Sequence, residues 1–259
     1  MLGAVAGDII GSVFERHGIT VKKFPLFTES SHFTDDTVMT VATAHCLLTG
    51  AGYAEAYRHF GQAHPNRGYG GDFRKWIFNP QKGPYYSFGN GSAMRVSPVG
   101  FACGSIEDVL TEARRSAEVT HNHPEGVKGA QAVALAVYLA RTGAAKSDIR
   151  REISERFGYN LNRRWDDIRG EYVFDVTCQG SVPEAIIALL ESESVEDAIR
   201  NAISLGGDAD TQACIAGGIA EAFHGGVPPA IEAEVRLRLP EDFIAITNAF
   251  YARFIKKAP

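Results

Sequence analysis

The sequence predicts an all-α fold, and three kinds of observation predict it. Apolar residues recur at intervals of three and four along most of the chain, a spacing that places them on one face of a helix. Proline or glycine stands near several ends of these segments, as at Pro124 and Gly50. The alternation typical of a strand is confined to Tyr172–Thr177. The predicted helices are Leu2–Phe14, Thr37–Leu48, Ile106–Ala117, Gly126–Ala140, Val182–Leu190, Val195–Leu205, Thr211–Phe223 and Ile244–Ile255.

The first predicted helix carries glycines at every fourth position. Gly3, Gly7 and Gly11 make one smooth face that suits a close helix neighbour. Asp8 interrupts an otherwise apolar run, and we interpret it as an acid bonded to neighbouring backbone or caps. Glu15 stands where the apolar run ends, and either a solvated or a functional glutamate fits that position.

The later helices are bounded by similar signals. Pro183 suits the first turn of its helix, and Gly143 and Gly225 suit left-handed caps. The stretch Lys146–Arg169 is the most charged and least apolar of the chain. We interpret it as a solvated surface segment rather than a peripheral helical excursion.

Composition indicates one ordinary globular domain spanning residues 1–259. Hydrophobic residues make up 45% and charged residues 22%, which excludes disorder, collagen and coiled coil. A net charge of −5 disfavours a nucleic-acid partner. The apolar start lacks a basic segment, so we expect no signal peptide, and no stretch is long enough for a membrane span. The cysteines form no CxxC pair, so we expect reduced thiols and a cytoplasmic protein; they are Cys46, Cys103, Cys178 and Cys214.

Two acidic loops each precede an alanine-rich apolar helix. One reads Thr34-Asp35-Asp36-Thr37 and the other Asp208-Ala209-Asp210-Thr211. Helix capping explains one side chain in each loop, but not the paired carboxylates or the glycines before Asp208. If the loops meet, four carboxylates share a small volume and require cations. Oxygen-only donors select Mg²⁺, Mn²⁺ or Ca²⁺, and four carboxylates suit a two-metal site.

A glycine loop and a histidine pair are weaker signals. The segment Ser87–Arg95 contains Gly89-Asn90-Gly91, which fits either a tight surface turn or a loop that binds an anionic ligand such as a diphosphate. His121 and His123 precede a predicted helix. They lack the partners of a zinc site, and a nuclease motif would not place its residues side by side. A turn histidine and a ligand-contacting histidine both remain open for His121.

Taken in order, these segments resemble the ADP-ribosylglycohydrolase family, which includes the nitrogenase-reactivating glycohydrolase and the ADP-ribosyl-acceptor hydrolases. Each motif alone is weak, but their order through residues 1–225 is specific. The matching segments are Gly3–Ser12 with Glu15, Phe33–Thr37, Gly68–Gly71, Gly89–Arg95, His121 and Leu205–Thr211. The chain is shorter than the animal members of the family.

The resemblance implies an orthogonal helical bundle around a central cleft that holds two Mg²⁺ ions, with Mn²⁺ as an alternative. It implies metal ligation by the two acidic loops, through Thr34, Asp35, Asp36, Asp208, Asp210 and Thr211. Glu15 would touch or gate the metal centre, and Glu15 or Asp208 would take or relay the proton. The loop would cradle the diphosphate and distal ribose through Phe88, Gly89, Asn90, Gly91 and Ser92, and His121 would contact the ligand.

The implied reaction is hydrolysis of the glycosidic bond between ADP-ribose and an acceptor, which releases free ADP-ribose. The substrate would be an ADP-ribosylated protein or a small ADP-ribose conjugate, and we expect a monomer. The acceptor is open between arginine, serine, O-acetyl-ADP-ribose and other groups. Two alternatives are a non-catalytic ADP-ribose-binding or structural relative and a Mg²⁺-dependent phosphohydrolase.

Overall fold

The computed structural model describes residues 1–255, and their fold is helical. The helices, in chain order, are α1 (Leu2–Gly11), α2 (Asp35–Thr49), α3 (Tyr53–Ala63), α4 (Gly71–Ile77), α5 (Gly91–Met94), α6 (Ser97–Ala102), α7 (Ile106–Glu118), α8 (Pro124–Arg141), α9 (Lys146–Phe157), α10 (Trp165–Ile168), α11 (Cys178–Leu190), α12 (Val195–Ile203), α13 (Ala209–His224), α14 (Pro229–Leu237) and α15 (Glu241–Phe254). Among these 255 residues, β-type pairing is limited to an isolated bridge between Gly89 and Thr177. The all-α prediction is confirmed.

The long helices with a strong apolar period match their predicted bounds closely. The predicted starts and ends of α2, α8 and α13 each lie within two residues of the observed ones. Gly50, Gly143 and Gly225 adopt left-handed backbone at φ values of 79°, 89° and 75°, as predicted from their positions after helices. α1 ends at Gly11, earlier than predicted, and Pro183 lies inside α11 rather than at its start.

Two interpretations of the region between α8 and α11 are wrong. Tyr172–Thr177 is a loop, and its apolar side chains Val173, Phe174 and Val176 are exposed rather than packed in a sheet. The charged stretch after Lys146 contains α9 and α10. In α9 only one narrow stripe, Ile149 and Ile153, is buried, so the helical period is nearly hidden by charge.

The glycines of α1 pack directly against the backbone of α13, as the smooth face predicted. A Cβ atom at Gly3 would lie 2.2 Å from the carbonyl oxygen of Gly217, and one at Gly7 would lie 2.0 Å from that of Ala213. At Gly11 it would lie 2.5 Å from Cα of Asp210. We call this contact the glycine seam. It holds the first turn of α13 beside the last turns of α1.

The start of α2 is tied to the same place. The Thr34 hydroxyl caps α2 by accepting a hydrogen bond from the backbone N–H of Asp36 at 3.3 Å. The N–H groups of Thr34 and Thr37 donate to the Asp8 carboxylate at 3.0 and 3.1 Å. The C-terminal half of α1 and the first turns of α2 and α13 therefore converge.

No helix within residues 1–255 has both the length and the apolar character needed to cross a lipid bilayer.

Candidate active site

Three buried aspartates meet where α1, α2 and α13 converge. One carboxylate oxygen from each of Asp8, Asp36 and Asp210 lies within 4.8 Å of the others, and no side chain of the three is more than 4% exposed. Burial and the neighbouring carboxylates raise the pKa of Asp36 and of Asp210 well above the usual range. Like charges this close are stable together only when protons or cations neutralise them.

The donor atoms of this cluster fit a hard divalent cation. Within residues 1–255, Oδ1 of Asp36 is buried and has no hydrogen-bond partner, so a ligand for a cation is left free. Its Oδ2 accepts a hydrogen bond from the Thr211 hydroxyl at 3.3 Å. The cluster offers carboxylate and hydroxyl oxygens, which suit Mg²⁺, Mn²⁺ or Ca²⁺.

The structure brings the two acidic loops together, as the sequence hypothesis required. Asp36 of the first loop faces Asp210 and Thr211 of the second. Asp35 lies on the cleft wall, and burial together with the charges of Asp8, Asp208 and Glu15 raises its pKa. The predicted ligands Asp35, Asp36, Asp208, Asp210 and Thr211 all line one cleft. Thr34 lies beneath it, with its hydroxyl donating to Asp8 at 2.6 Å.

Asp8 combines two roles, and sequence reasoning found only one of them. It accepts hydrogen bonds from the backbone N–H and the hydroxyl of both Thr34 and Thr37, which confirms the interpretation as an acid bonded to backbone and caps. It is also a member of the carboxylate cluster. The sequence signal that could have indicated the second role is that Asp8 is a single acid in an apolar helix. A buried charge of this kind needs a partner that neutralises it.

Asp208 connects the carboxylates to the glycine loop. Its Oδ2 accepts a hydrogen bond from Nδ2 of Asn90 at 2.7 Å, and the same amide donates to the Ser181 hydroxyl at 3.0 Å. Burial raises the pKa of Asp208, while the bond from Asn90 acts in the opposite direction. Asn90 thus fixes the orientation of one carboxylate from the other side of the cleft.

Glu15 follows α1 and lies on the cleft wall, half-buried. Its pKa is raised, first by burial and then by the negative charges of Asp208 and Asp8. A carboxyl group that is accessible and holds its proton more tightly than usual is suited to proton transfer.

The cleft itself has a volume of about 550 Å³. Besides the carboxylates, it is lined by aromatic rings that the sequence analysis did not single out, among them Tyr85, Tyr86 and Phe174. Tyr86, Phe88 and Phe174 are 60%, 45% and 54% exposed, although apolar surface of this kind is usually covered. Such rings offer flat faces to a ligand.

The glycine loop lies beside His121. A Cβ atom at Gly91 would lie 3.1 Å from Nε2 of His121, and one at Gly89 would lie 3.6 Å from it. Phe88, Gly89, Asn90 and Gly91 line the cleft. Ser92 is instead fully buried beneath the loop, and its hydroxyl donates to the carbonyl oxygen of Gly126 at 2.7 Å.

His121 is 5% exposed and lies within a polar network. Its Nδ1 is 2.7 Å from the hydroxyl of Thr120, which accepts a hydrogen bond from Nη2 of Arg95 at 3.0 Å. Burial and the nearby Arg95 charge hold the pKa of His121 well below its usual range, so the ring is neutral near pH 7. Arg95 also lines the cleft, and sequence reasoning gave it no role.

Known proteins are similar to this chain in sequence and in fold. The family model described as ADP-ribosylglycohydrolase matches residues 1–258. Human ADP-ribosylhydrolase ARH3 is 30% identical over 314 residues, covering 87% of this chain and 84% of the human protein. ADP-ribosylarginine hydrolase Tri1 of Pseudomonas putida is 29% identical, covering 88% of this chain and 71% of that protein. A solved structure described as an ADP-ribosylglycohydrolase-related protein complex aligns with a TM-score of 0.70 at 24% identity, over 97% of this chain and 96% of that one, and shows the shared fold.

The helical fold, the cleft and these matches define a glycohydrolase enzyme. The chain belongs to the ADP-ribosylglycohydrolase family. The resemblance seen in the ordered sequence motifs is thereby confirmed.

Proposed function

We propose that this chain hydrolyses the glycosidic bond between ADP-ribose and an acceptor, with two Mg²⁺ or Mn²⁺ ions, and releases ADP-ribose. The observation that carries the proposal is the cluster of buried carboxylates, in which Asp36 and Asp210 line the same cleft as the Gly89–Gly91 loop and one Asp36 oxygen has no partner within residues 1–255. The names of the relatives, an ADP-ribosylhydrolase and an ADP-ribosylarginine hydrolase, support the choice of ADP-ribose.

The cations would be held by oxygen atoms from the three converging helices. The proposed ligands are Thr34, Asp35, Asp36, Asp208, Asp210 and Thr211, with Asp8 as an addition that the cluster supports. Bound divalent cations would supply Lewis acidity, which fixes ribose hydroxyls and lowers the pKa of water. The Thr34 hydroxyl donates its proton to Asp8, so the lone pairs of the hydroxyl oxygen are directed away from Asp8.

Glu15 and Asp208 are the proposed proton-transfer groups. Glu15 is partly accessible, and its raised pKa is closer to neutrality than that of a free carboxyl group. It would take or relay the proton of the attacking water. Asp208 is oriented by Asn90 and would serve as the second candidate for this step. Departure of the acceptor passes through an oxocarbenium-like state, as for glycosides in general.

The remainder of the cleft would bind the rest of ADP-ribose. The loop at Gly89–Gly91 leaves room for a diphosphate and the distal ribose because neither glycine has a side chain. His121 lies beside the loop and would contact the ligand, and the buried Ser92 would support the loop from beneath. The exposed rings of Tyr86 and Phe88 are suited to stacking on a base.

The proposed substrate is an ADP-ribosylated protein or a small ADP-ribose conjugate, and the acceptor is open between arginine, serine, an O-acetyl group and other groups. A panel of arginine-, serine- and O-acetyl-linked ADP-ribose substrates, incubated with Mg²⁺ or with EDTA, tests both the reaction and its cation. We expect release of free ADP-ribose from at least one substrate, only with the cation, and loss of this release in Asp210→Asn. Release of inorganic phosphate instead, or equal ADP-ribose release in EDTA, would contradict the proposal.

A further inference from the structure

Arg95 is a fully buried cation that has no acidic partner in the described part of the chain. It follows the short helix α5, and its side chain is 0% exposed. Among residues 1–255 no carboxylate forms an ion pair with it. Its guanidinium instead stacks on the Tyr57 ring, with Cζ 4.2 Å from the ring centroid. Burial of an unpaired charge costs free energy, so we expect this arginine to have a role that offsets the cost. Its polar contacts indicate what that role is.

Those contacts lead to the cleft through Thr120. Nη2 of Arg95 donates to the carbonyl oxygen of Ser116 at 2.8 Å and to the Thr120 hydroxyl at 3.0 Å. The hydroxyl oxygen therefore accepts from Arg95, and its own proton needs an acceptor because Thr120 is fully buried. Within the described residues, that acceptor is Nδ1 of His121, at 2.7 Å.

The direction of these bonds fixes the protonation of the His121 ring. If Nδ1 accepts a proton from Thr120, a neutral ring carries its own proton on Nε2. Nε2 is the atom that lies 3.1 Å from the Cβ position of Gly91. The N–H of His121 therefore points toward the glycine loop and the cleft. The reverse arrangement would leave the buried Thr120 proton without an acceptor.

We propose that Arg95 is a positioning residue that acts through Thr120 to hold His121 as the Nε2-protonated tautomer, so that the cleft presents a fixed N–H donor to an oxygen of the ligand beside Gly91. The identity of that ligand as ADP-ribose rests on the proposed function. The tautomer does not, since it is a property of the protein without ligand.

The tautomer can be read directly by NMR of protein labelled with ¹⁵N-histidine, because protonated and unprotonated ring nitrogens have distinct shifts. His121→Asn assigns the His121 signals by their loss. In the wild type without ligand, we expect Nε2 to carry the proton and Nδ1 to be unprotonated. In Thr120→Val, which removes the hydroxyl at nearly constant volume, we expect a mixture of both tautomers, and the same mixture in Arg95→Met.

Matched controls separate this effect from general loss of packing. Thr247→Val removes another fully buried hydroxyl, one that has no partner within the described residues, and should leave the His121 signals unchanged. Thr120→Ser keeps the hydroxyl and should restore the wild-type tautomer. Nδ1 of His123 accepts from the backbone N–H of Glu125 at 3.0 Å, so its signals should stay constant in Thr120→Val and serve as an internal reference.

Calorimetry with ADP-ribose tests the use of the donor. We expect affinity in Thr120→Val to fall in proportion to the remaining fraction of the Nε2-protonated tautomer, by about twofold for an equal mixture, and unchanged affinity in Thr120→Ser and Thr247→Val. A wild-type His121 protonated on Nδ1, or an unaltered tautomer in Thr120→Val or Arg95→Met, would overturn the proposal. A wild type with the expected tautomer that does not bind ADP-ribose would instead overturn the proposed function.

Discussion

The two ends of the α1–α13 pair treat buried carboxylates in opposite ways. Near the start of α1, Glu221 is 3% exposed and accepts hydrogen bonds from the Met1 amino group, the Gly3 N–H and the Tyr251 hydroxyl. At the other end, Asp36 and Asp210 are equally buried but face other carboxylates. The first acid is neutralised by groups of the protein, whereas the second set needs protons or cations to neutralise it. This contrast supports the proposal that the cluster is a cation site.

The glycine seam lies between these two ends and connects them. Its close backbone contacts place Gly11 against Asp210, which brings like charges together at the cost of their repulsion. We expect packing along the seam to offset part of that repulsion.

The largest effect is expected from Gly7→Ala, which breaks the seam. The added Cβ would lie 2.0 Å from the Ala213 carbonyl oxygen, so the two helices must separate. We expect a loss of at least about 3 kcal/mol in the free energy of unfolding, the upper range for overpacking, and loss of activity. Gly104→Ala is the control, because no atom lies within 4 Å of its Cβ position. Denaturant unfolding of both variants checks this, and equal stability would contradict it.

The second-largest effect is expected at the carboxylate cluster. Asp36→Asn removes one of three clustered charges, and we expect turnover to fall by roughly 10²–10³-fold as cation binding is lost. In EDTA the same variant should be more stable than the wild type, because one of the mutually repelling carboxylates is removed. The control is Asp148→Asn, on the exposed side of α9. An Asp36→Asn protein less stable than the wild type in EDTA would show that repulsion is not the dominant interaction there.

A smaller effect is expected from Glu15→Gln, which tests proton transfer apart from assembly of the site. The amide keeps the size of the side chain but cannot take a proton, so turnover should fall by roughly 10²-fold. The fold and most of the cation-induced stabilisation should remain, because Glu15 lies outside the carboxylate cluster. Single-turnover ADP-ribose release and a cation titration check the two parts. Glu29→Gln, an exposed glutamate in the same segment, should behave as the wild type.

The smallest effect is expected at the Gly89–Gly91 loop. It tests whether ligand binding at this loop is independent of cation binding at the carboxylates. In Gly91→Val the side chain would meet Nε2 of His121 at 3.1 Å. We expect ADP-ribose affinity to fall by about tenfold, the equivalent of roughly 1.4 kcal/mol, with an unchanged response to Mg²⁺. Gly83→Val, where the Cβ position is open, is the control. Unaltered ADP-ribose affinity in calorimetry would show that the segment is a structural turn that does not contact the ligand.

Local sequence determined much of this fold but little of the site's geometry. The apolar period located long helices such as α8 and α13, and the glycine spacing predicted the seam. Short helices such as α5 escaped because four residues make barely one turn, which is too short for an apolar residue to recur. The Tyr172–Thr177 loop was misread because Phe174 and Val176 line a cleft and Val173 is exposed, so none of these side chains packs in a core.

The composition of the site was predictable where its residues form motifs. The paired acids of the two loops indicated a shared cluster, and the structure brings Asp36 and Asp210 together. The membership of Asp8 depends on the tertiary packing of α1, whereas the sequence indicated only that an acid in this apolar helix needs a partner. Arg95 was missed for a similar reason, since an isolated arginine in a sequence carries no sign that it will be buried.

Thermal unfolding of the wild type with Mg²⁺ and with EDTA tests the central claim most directly. A cation that binds only the folded protein stabilises it, by about 2.7 kcal/mol at a free concentration one hundred times Kd. We predict a higher Tm in Mg²⁺ than in EDTA for the wild type, and no such difference for Asp210→Ala. The same Tm in both conditions for the wild type would contradict the assignment of the carboxylate cluster as a cation site.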